Sequence, residues 1–320
     1  MSLDLSGVLI PCTTPFDPIT GDVDLVGFRA NVRSFMAHPV RGIVVGGSTG
    51  EAVLLDEDER VLLLEGARDL VPDDRLVIAG TGAESKRATI RRCEVSAGKG
   101  ADAVLVQPPA FYRGAMTDAA LLDHYRAVAA ASPIPVILYQ VPLRMSTLEF
   151  STNLVAGLAT IANVVGIKDS RGSLELVGEL VDRTPDAFQV LVGSGAALYG
   201  GLELGAVGGI LGVANLAPGP AAAIHAAHKA GDSAEAGRIQ EAVAPVHTEI
   251  VAAMGVPGVK VGLDLLGLRG GRSPASASAA ARWEARGRGQ RVRSCGTRSC
   301  GDSFHLTGPS VVHANGGCCR

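Results

Sequence analysis

Eight short apolar runs punctuate the first two thirds of this chain: Gly7–Cys12, Gly42–Val45, Leu76–Ala79, Ala103–Val106, Pro135–Tyr139, Val164–Lys168, Gln189–Val192 and Gly208–Leu211. Most are rich in valine and isoleucine and show no polar alternation, the pattern of strands buried on both faces. Longer amphipathic stretches separate them. Several open on a helix-capping residue: Asp56 before Glu57-Asp58-Glu59-Arg60, Ser85 before Lys86–Lys99, and Thr117 before Asp118–Ala131. Strand-then-helix units of this kind predict a parallel sheet, and eight of them fit a closed (β/α)8 barrel better than an open doubly wound sheet. The expected fold is α/β: a TIM barrel over residues 1–213, with additional C-terminal helices over the alanine-rich residues 214–268.

Residues 269–320 differ in kind. They hold nine arginines, no lysine and two acidic residues (Glu284, Asp302), about +7, which leaves about −10 for the rest of a chain whose net charge is −3. Rich in Gly, Ser and Arg, and lacking helical or strand periodicity, this basic tail is expected to be disordered or, the favoured reading, to follow a change of reading frame near Gly271. Cys295, Cys300, Cys318 and Cys319 crowd it beside His305 and His313. Their spacing fits no standard zinc pattern, so no metal is expected. Cys12 and Cys93 read as reduced, buried small hydrophobes. The first 268 residues are acidic and lack a basic stripe interleaved with aromatics, which argues against nucleic acid as a partner. No uninterrupted apolar run reaches the roughly 18 residues of a membrane span. The opening Met-Ser-Leu-Asp-Leu-Ser has neither the basic flank nor the apolar core of a signal peptide, so a cytoplasmic location is expected.

The chemistry is expected where the apolar runs end, because catalytic groups of such barrels come from the C-terminal ends of several strands. The chain has only five lysines, and four of them (Lys86, Lys99, Lys229, Lys260) sit in segments that read as helix or helix end. Lys168 alone closes a strand-like run. Burial there would disfavour the ammonium form, and a neutral amine is what imine formation with a ketone requires. The competing reading is a lysine that snorkels to solvent. Other strand ends supply Gly46-Gly47-Ser48-Thr49-Gly50-Glu51, Phe111-Tyr112-Arg113, Tyr139 followed by Arg144, Ser170, and Gly193-Ser194-Gly195. An imine at Lys168 could act as an electron sink, while Tyr139 with Ser48 or Thr49 relays a proton and Arg144 clamps a carboxylate. Taken singly, the glycine-rich loop is also a tight turn, Tyr139 a packing residue and Arg144 a solvated charge. The loop is neither a P-loop nor a dinucleotide fingerprint.

Four motifs in order, Gly47–Glu51 (Gly-Ser-Thr-Gly-Glu), Ala79–Ser85, Leu138–Pro142 (Leu-Tyr-Gln-Val-Pro) and Gly166–Ser170 (Gly-Ile-Lys-Asp-Ser), with Gly205–Ile210 and Ala214-Asn215, resemble the dihydrodipicolinate synthase / N-acetylneuraminate lyase superfamily of Schiff-base aldolases. The resemblance runs from about Gly7 to Leu268. It implies a barrel with extra C-terminal helices, no metal, no bound cofactor and a homo-oligomer, usually a tetramer. By that likeness Lys168 is the imine-forming lysine, Tyr139 the catalytic tyrosine, and Ser48 and Thr49 the hydroxyl pair at the pyruvyl carboxylate. Tyr112 matches a tyrosine that reaches across a subunit interface. Gly193 and Ile210 fall at pyruvyl-pocket positions, and Gly47 and Ser194 are further substrate-binding candidates.

Two branches compete for the second substrate. Pro108–Met116, Phe188–Ser194, Gly255–Lys260 and Ser170 resemble the 4-hydroxy-2-oxoglutarate aldolases, which release pyruvate and glyoxylate. Arg144 matches the carboxylate-binding arginine of the synthases that condense pyruvate with aspartate semialdehyde, although Met145-Ser146 depart from their pattern. The expected partners are therefore a 2-oxo acid and a carboxylated aldehyde, the aldolase branch being favoured. A catalytically silent barrel serving as a binding or regulatory module is the alternative from another class. The segment past Leu268, where relatives carry a further helix, is expected to lower stability or alter assembly.

Overall fold

The computed structural model describes residues 3–271 and the backbone of two short strands near the C-terminus. Eight parallel strands, β1 (Gly7–Pro11), β2 (Gly42–Val45), β3 (Leu76–Gly80), β4 (Ala103–Val106), β5 (Val136–Gln140), β6 (Val164–Asp169), β7 (Gln189–Val192) and β8 (Gly208–Ile210), form a barrel in sequence order. It closes where Gly7, Val8 and Leu9 pair with Gly208, Gly209 and Ile210. Each strand lies within a residue or two of its apolar run. Alternation along the strands divides the core. Leu9, Val44, Ile78, Leu105, Ile137, Tyr139, Leu191 and Ile210 fill the interior, while the intervening residues pack outward against the helices.

The helical ring comprises α1 (Leu25–Met36), α2 (Glu57–Arg68), α3 (Lys86–Gly98), α4 (Asp118–Ala131), α5 (Thr152–Leu158), α6 (Leu174–Arg183), α7 (Leu198–Glu203) and α8 (Pro218–Lys229). The predicted caps form. Asp56 accepts from the Glu59 amide at 2.8 Å while the Glu59 carboxylate accepts from the Asp56 amide at 3.0 Å, a reciprocal capping box. Asp56→Ala is expected to lower stability by about 1 kcal/mol, read as a lower urea midpoint at unchanged slope.

Because α8 packs on β1, the ring is complete at Lys229, and the added helices begin with α9 (Ser233–Val246). A π-helical turn (His247–Ala252) and α10 (Ala253–Leu265) follow. The run Ser233–Leu265 is long and apolar enough to cross a membrane by length and composition. It is interrupted by the π-helical turn after Pro245 and kinked at Gly255 (φ 69°), and a minority of its residues, among them Ala236, Val243, Val259 and Leu263, is buried.

The described residues continue past Leu268 to Gly271. Asn31 exchanges two hydrogen bonds with the backbone of Arg269, and the Gly270 amide donates to Asp264. Farther on, Phe304–Leu306 (β9) and Val312–Ala314 (β10) pair antiparallel, where the sequence showed no strand pattern. The remainder of the tail, including its four cysteines and the position of the proposed frame change's downstream sequence, lies outside the described residues.

Candidate active site

Lys168 sits on β6 directly across from Tyr139 on β5. Both side chains are buried, and the Lys168 Nζ lies 4.3 Å from the centre of the Tyr139 ring. The alternation that sends Ile167 outward into the helix layer turns Lys168 toward the barrel axis. The amine therefore lies inside the barrel, which excludes the snorkelling alternative. Ile210, fully buried on β8, belongs to the same interior cluster as Tyr139.

Asp169, next in sequence, is occupied structurally. Arg171 grips its carboxylate through Nε at 2.9 Å and Nη2 at 2.5 Å, and the Arg171 amide adds a third bond at 2.8 Å. The pair is almost wholly enclosed and pins the end of β6. Ser170 packs over Gly193 so closely that a Cβ at Gly193 would lie 1.9 Å from the Ser170 Oγ. The Asp169 carbonyl oxygen and the Ser170 Cα, each 2.8 Å from that Cβ, make glycine the fitting residue there, and Gly193 and Ser170 form one wall.

The loop after β2 leaves the strand through Gly46 in the left-handed region (φ 65°), and a Cβ on Gly80 would come within 2.1 Å of the Gly46 carbonyl oxygen. Gly47 is buried, and Ser48 and Thr49 are half-buried at the barrel mouth. Thr14 ties the loop down through a 2.7 Å bond to the Gly50 carbonyl. Glu51, the only described non-glycine residue with positive φ (54°), closes the turn. Its carboxylate forms an ion pair with Lys260 of α10, whose Nζ also lies 4.7 Å from the Phe16 ring centre. Lys260 lies on a helix, as its segment reads, and is as buried as Lys168. Burial lowers its pKa and Glu51 opposes that fall. The apolar setting Val256–Leu263 was the signal that could have revealed it.

Two predicted residues stand apart from this group. Tyr112 is 74% exposed and stacks edge-on against Phe111. Arg144 does not present a free guanidinium: it donates to the carbonyls of Ala252 and, at 3.2 Å, Val251 in the π-helical turn. That turn also delivers a residue the sequence reading missed, His247, which meets Ser194 at 3.1 Å. The only sequence hint was its position two residues after Pro245 inside a helical pattern.

The mouth therefore assembles a buried amine and phenol in contact, two hydroxyls on a braced glycine-rich loop, and a second hydroxyl wall of Ser170 and Ser194. Such a set can form an imine and move protons around it. Among the described residues, no group of three or more His, Cys, Asp or Glu is placed to hold a metal ion.

The family model described as the dihydrodipicolinate synthetase family matches residues 4–281, past the point where the motif resemblance ends. A probable mitochondrial 4-hydroxy-2-oxoglutarate aldolase of Emericella nidulans is 37% identical over 242 residues, 74% of this chain and 78% of the relative. A 4-hydroxy-tetrahydrodipicolinate synthase of Pseudomonas aeruginosa is 33% identical over 264 residues, 82% of this chain and 89% of that protein. Among solved structures, the dihydrodipicolinate synthase of Acinetobacter baumannii complexed with pyruvate superposes with a TM-score of 0.81 at 29% identity, covering 88% of this chain and 97% of the other.

Proposed function

Since the chain belongs to the dihydrodipicolinate synthetase family, we propose that it is a pyruvate-forming Schiff-base aldolase that cleaves 4-hydroxy-2-oxoglutarate to pyruvate and glyoxylate. The observation that carries the reading is the buried contact between Lys168 and Tyr139 at the strand ends. In this mechanism the Lys168 amine attacks the C2 ketone, and loss of water leaves an iminium. The C4 hydroxyl gives up its proton through Tyr139, with Thr49 or Ser48 as relay. The C3–C4 bond then breaks, its electrons flow into the iminium as an enamine, and glyoxylate leaves. Protonation at C3 and hydrolysis release pyruvate and restore the amine. Ser48, Thr49 and Gly47 would hold the C1 carboxylate, with Gly193 and Ile210 shaping the pocket around it. Ser170, Ser194 and Arg144 would face the C5 carboxylate, Arg144 exchanging its carbonyl partners for it.

The second reading, condensation of pyruvate with aspartate semialdehyde, is favoured by the several synthases among the relatives near 33% identity. Tyr112, exposed in a single chain, would be completed by a neighbouring copy in a homo-oligomer, as the family resemblance implies.

Borohydride reduction in the presence of pyruvate, followed by peptide mass mapping, tests the imine. The expected result is a pyruvyl adduct on Lys168, and its absence from folded protein would refute the mechanism. Turnover of 4-hydroxy-2-oxoglutarate should exceed that of pyruvate plus aspartate semialdehyde by roughly tenfold or more in kcat/KM, a margin of about 1.4 kcal/mol. The reverse ordering would transfer the assignment to the synthase.

A further inference from the structure

His247 reaches the mouth from the π-helical turn, a local irregularity of a kind frequent at functional sites. Its two ring nitrogens are both engaged, and the partners fix which is which. The Gly195 backbone amide can only donate, and it points at Nδ1 from 3.2 Å. Nδ1 is therefore the unprotonated nitrogen, and in a neutral ring the proton sits on Nε2. Nε2 faces the Ser194 Oγ at 3.1 Å and so donates to it. An oxygen that accepts there has its own hydrogen left to donate elsewhere.

The surroundings hold that geometry. Gly195 is fixed on its other side as well, its carbonyl accepting from the Gln240 side chain at 3.0 Å, while Gln240 accepts from the Tyr199 amide at 2.9 Å. The ring is buried, and Ser194 is half-buried at the mouth beside Ser170 and Gly193. Burial, reinforced by the nearby Arg144 guanidinium, brings the His247 pKa down to about 4, so the neutral form persists through ordinary working pH.

We propose that His247 is a positioning residue for the second substrate: it accepts from Gly195, donates to Ser194, and thereby commits the Ser194 hydroxyl to donate to the carboxylate of the aldehyde fragment. This rests on the aldolase reading and deepens it, by assigning recognition of the departing aldehyde to a side chain outside the barrel. A neutral donor chain suits a carboxylate held beside Arg144, because it adds direction without a second full charge.

The test separates the two substrates. For each variant, KM is measured for pyruvate and for whichever carboxylated aldehyde, glyoxylate or aspartate semialdehyde, the protein consumes, together with kcat and the yield of the borohydride adduct. His247→Phe is expected to raise KM for the aldehyde roughly tenfold, the size of one hydrogen bond to a charged group, because the Ser194 hydroxyl is no longer committed to the carboxylate. KM for pyruvate and the adduct on Lys168 should stay within about twofold. His247→Gln, which can still donate to Ser194, should recover most of the loss. Ser194→Ala should reproduce it, and the double variant should be no worse than either single one. If His247→Phe fails to fold, the comparison of His247→Gln with Ser194→Ala decides the matter by the same ratio of the two KM values. Equal loss for both substrates, or additive losses in the double variant, would overturn the proposal and make His247 a structural residue. No adduct in the unaltered protein would overturn the aldolase reading and this inference with it, whereas a normal adduct with an unchanged aldehyde KM would overturn this inference alone.

Discussion

Lys168→Met should give a folded barrel that traps no pyruvate and turns over at least ~10⁴-fold more slowly, about 5.5 kcal/mol of transition-state stabilisation. The size follows from the chemistry: without the amine there is no imine, and without the imine nothing accepts the electrons of the breaking C3–C4 bond. Methionine matches the lysine stem in length and is apolar, so the fold should not suffer. Among the described residues Lys168 is buried and pairs with no carboxylate, and replacing a buried amine by an apolar group of similar volume is neutral or stabilising when no counter-charge is orphaned. Rate and melting temperature should therefore part company. Tyr139→Phe keeps the ring against the lysine and removes only the phenol, and a loss on the order of 10²-fold is expected. Residual turnover above one-hundredth of the parent in Lys168→Met would exclude this lysine as the nucleophile.

Lys260→Met should behave in the opposite way, with its main effect on stability. Its partner Glu51 has a side chain only 10% exposed, in a left-handed turn it cannot easily leave. Removing the ammonium orphans a buried carboxylate, at a cost of about 3–5 kcal/mol. For a chain of this size that is a fall of roughly 10 °C in melting temperature. Adding Glu51→Gln should recover most of it, since the uncompensated charge is then gone. A single-variant cost below about 1 kcal/mol would mean that Glu51 finds water and that the pair does not brace the turn. Because Ser48 and Thr49 precede Glu51 in that turn, the affinity for pyruvate should weaken along with stability in the single variant.

The contrast between these two lysines shows what the sequence made legible. Lys168 closes a run of β-branched residues, and period-two alternation then dictates its side of the sheet. The barrel strands and the caps at Asp56, Ser85 and Thr117 were readable for the same reason: they depend on neighbours within a few residues. Lys260, His247 and the partners of Arg144 were not, because each depends on how the C-terminal helices settle across the mouth, a contact between residues separated by 53 positions for Ser194–His247 and 107 for Arg144–Val251. Asp169 was legible as a motif residue but not as the tether of Arg171, since the enclosure that makes their pairing strong exists only after folding. The bonds from Asn31 and Asp264 to the backbone beyond Leu268 were likewise illegible, since their partners meet only after folding.

The closure of the barrel through β1 and β8 has a temporal consequence. β1 is synthesised about 200 residues ahead of its second neighbour, which begins at Gly208. At 5–20 residues per second, the growing sheet keeps an unpaired edge for roughly ten to forty seconds. Such an edge is where one nascent chain can template another. Synthesis must run on past Gly208 before His247 and Lys260 even exist, so a chain that has already made Lys168 still lacks the parts that brace its surroundings. The centre is finished only once α10 has been made, and the interval before that is a period of exposure to misassembly.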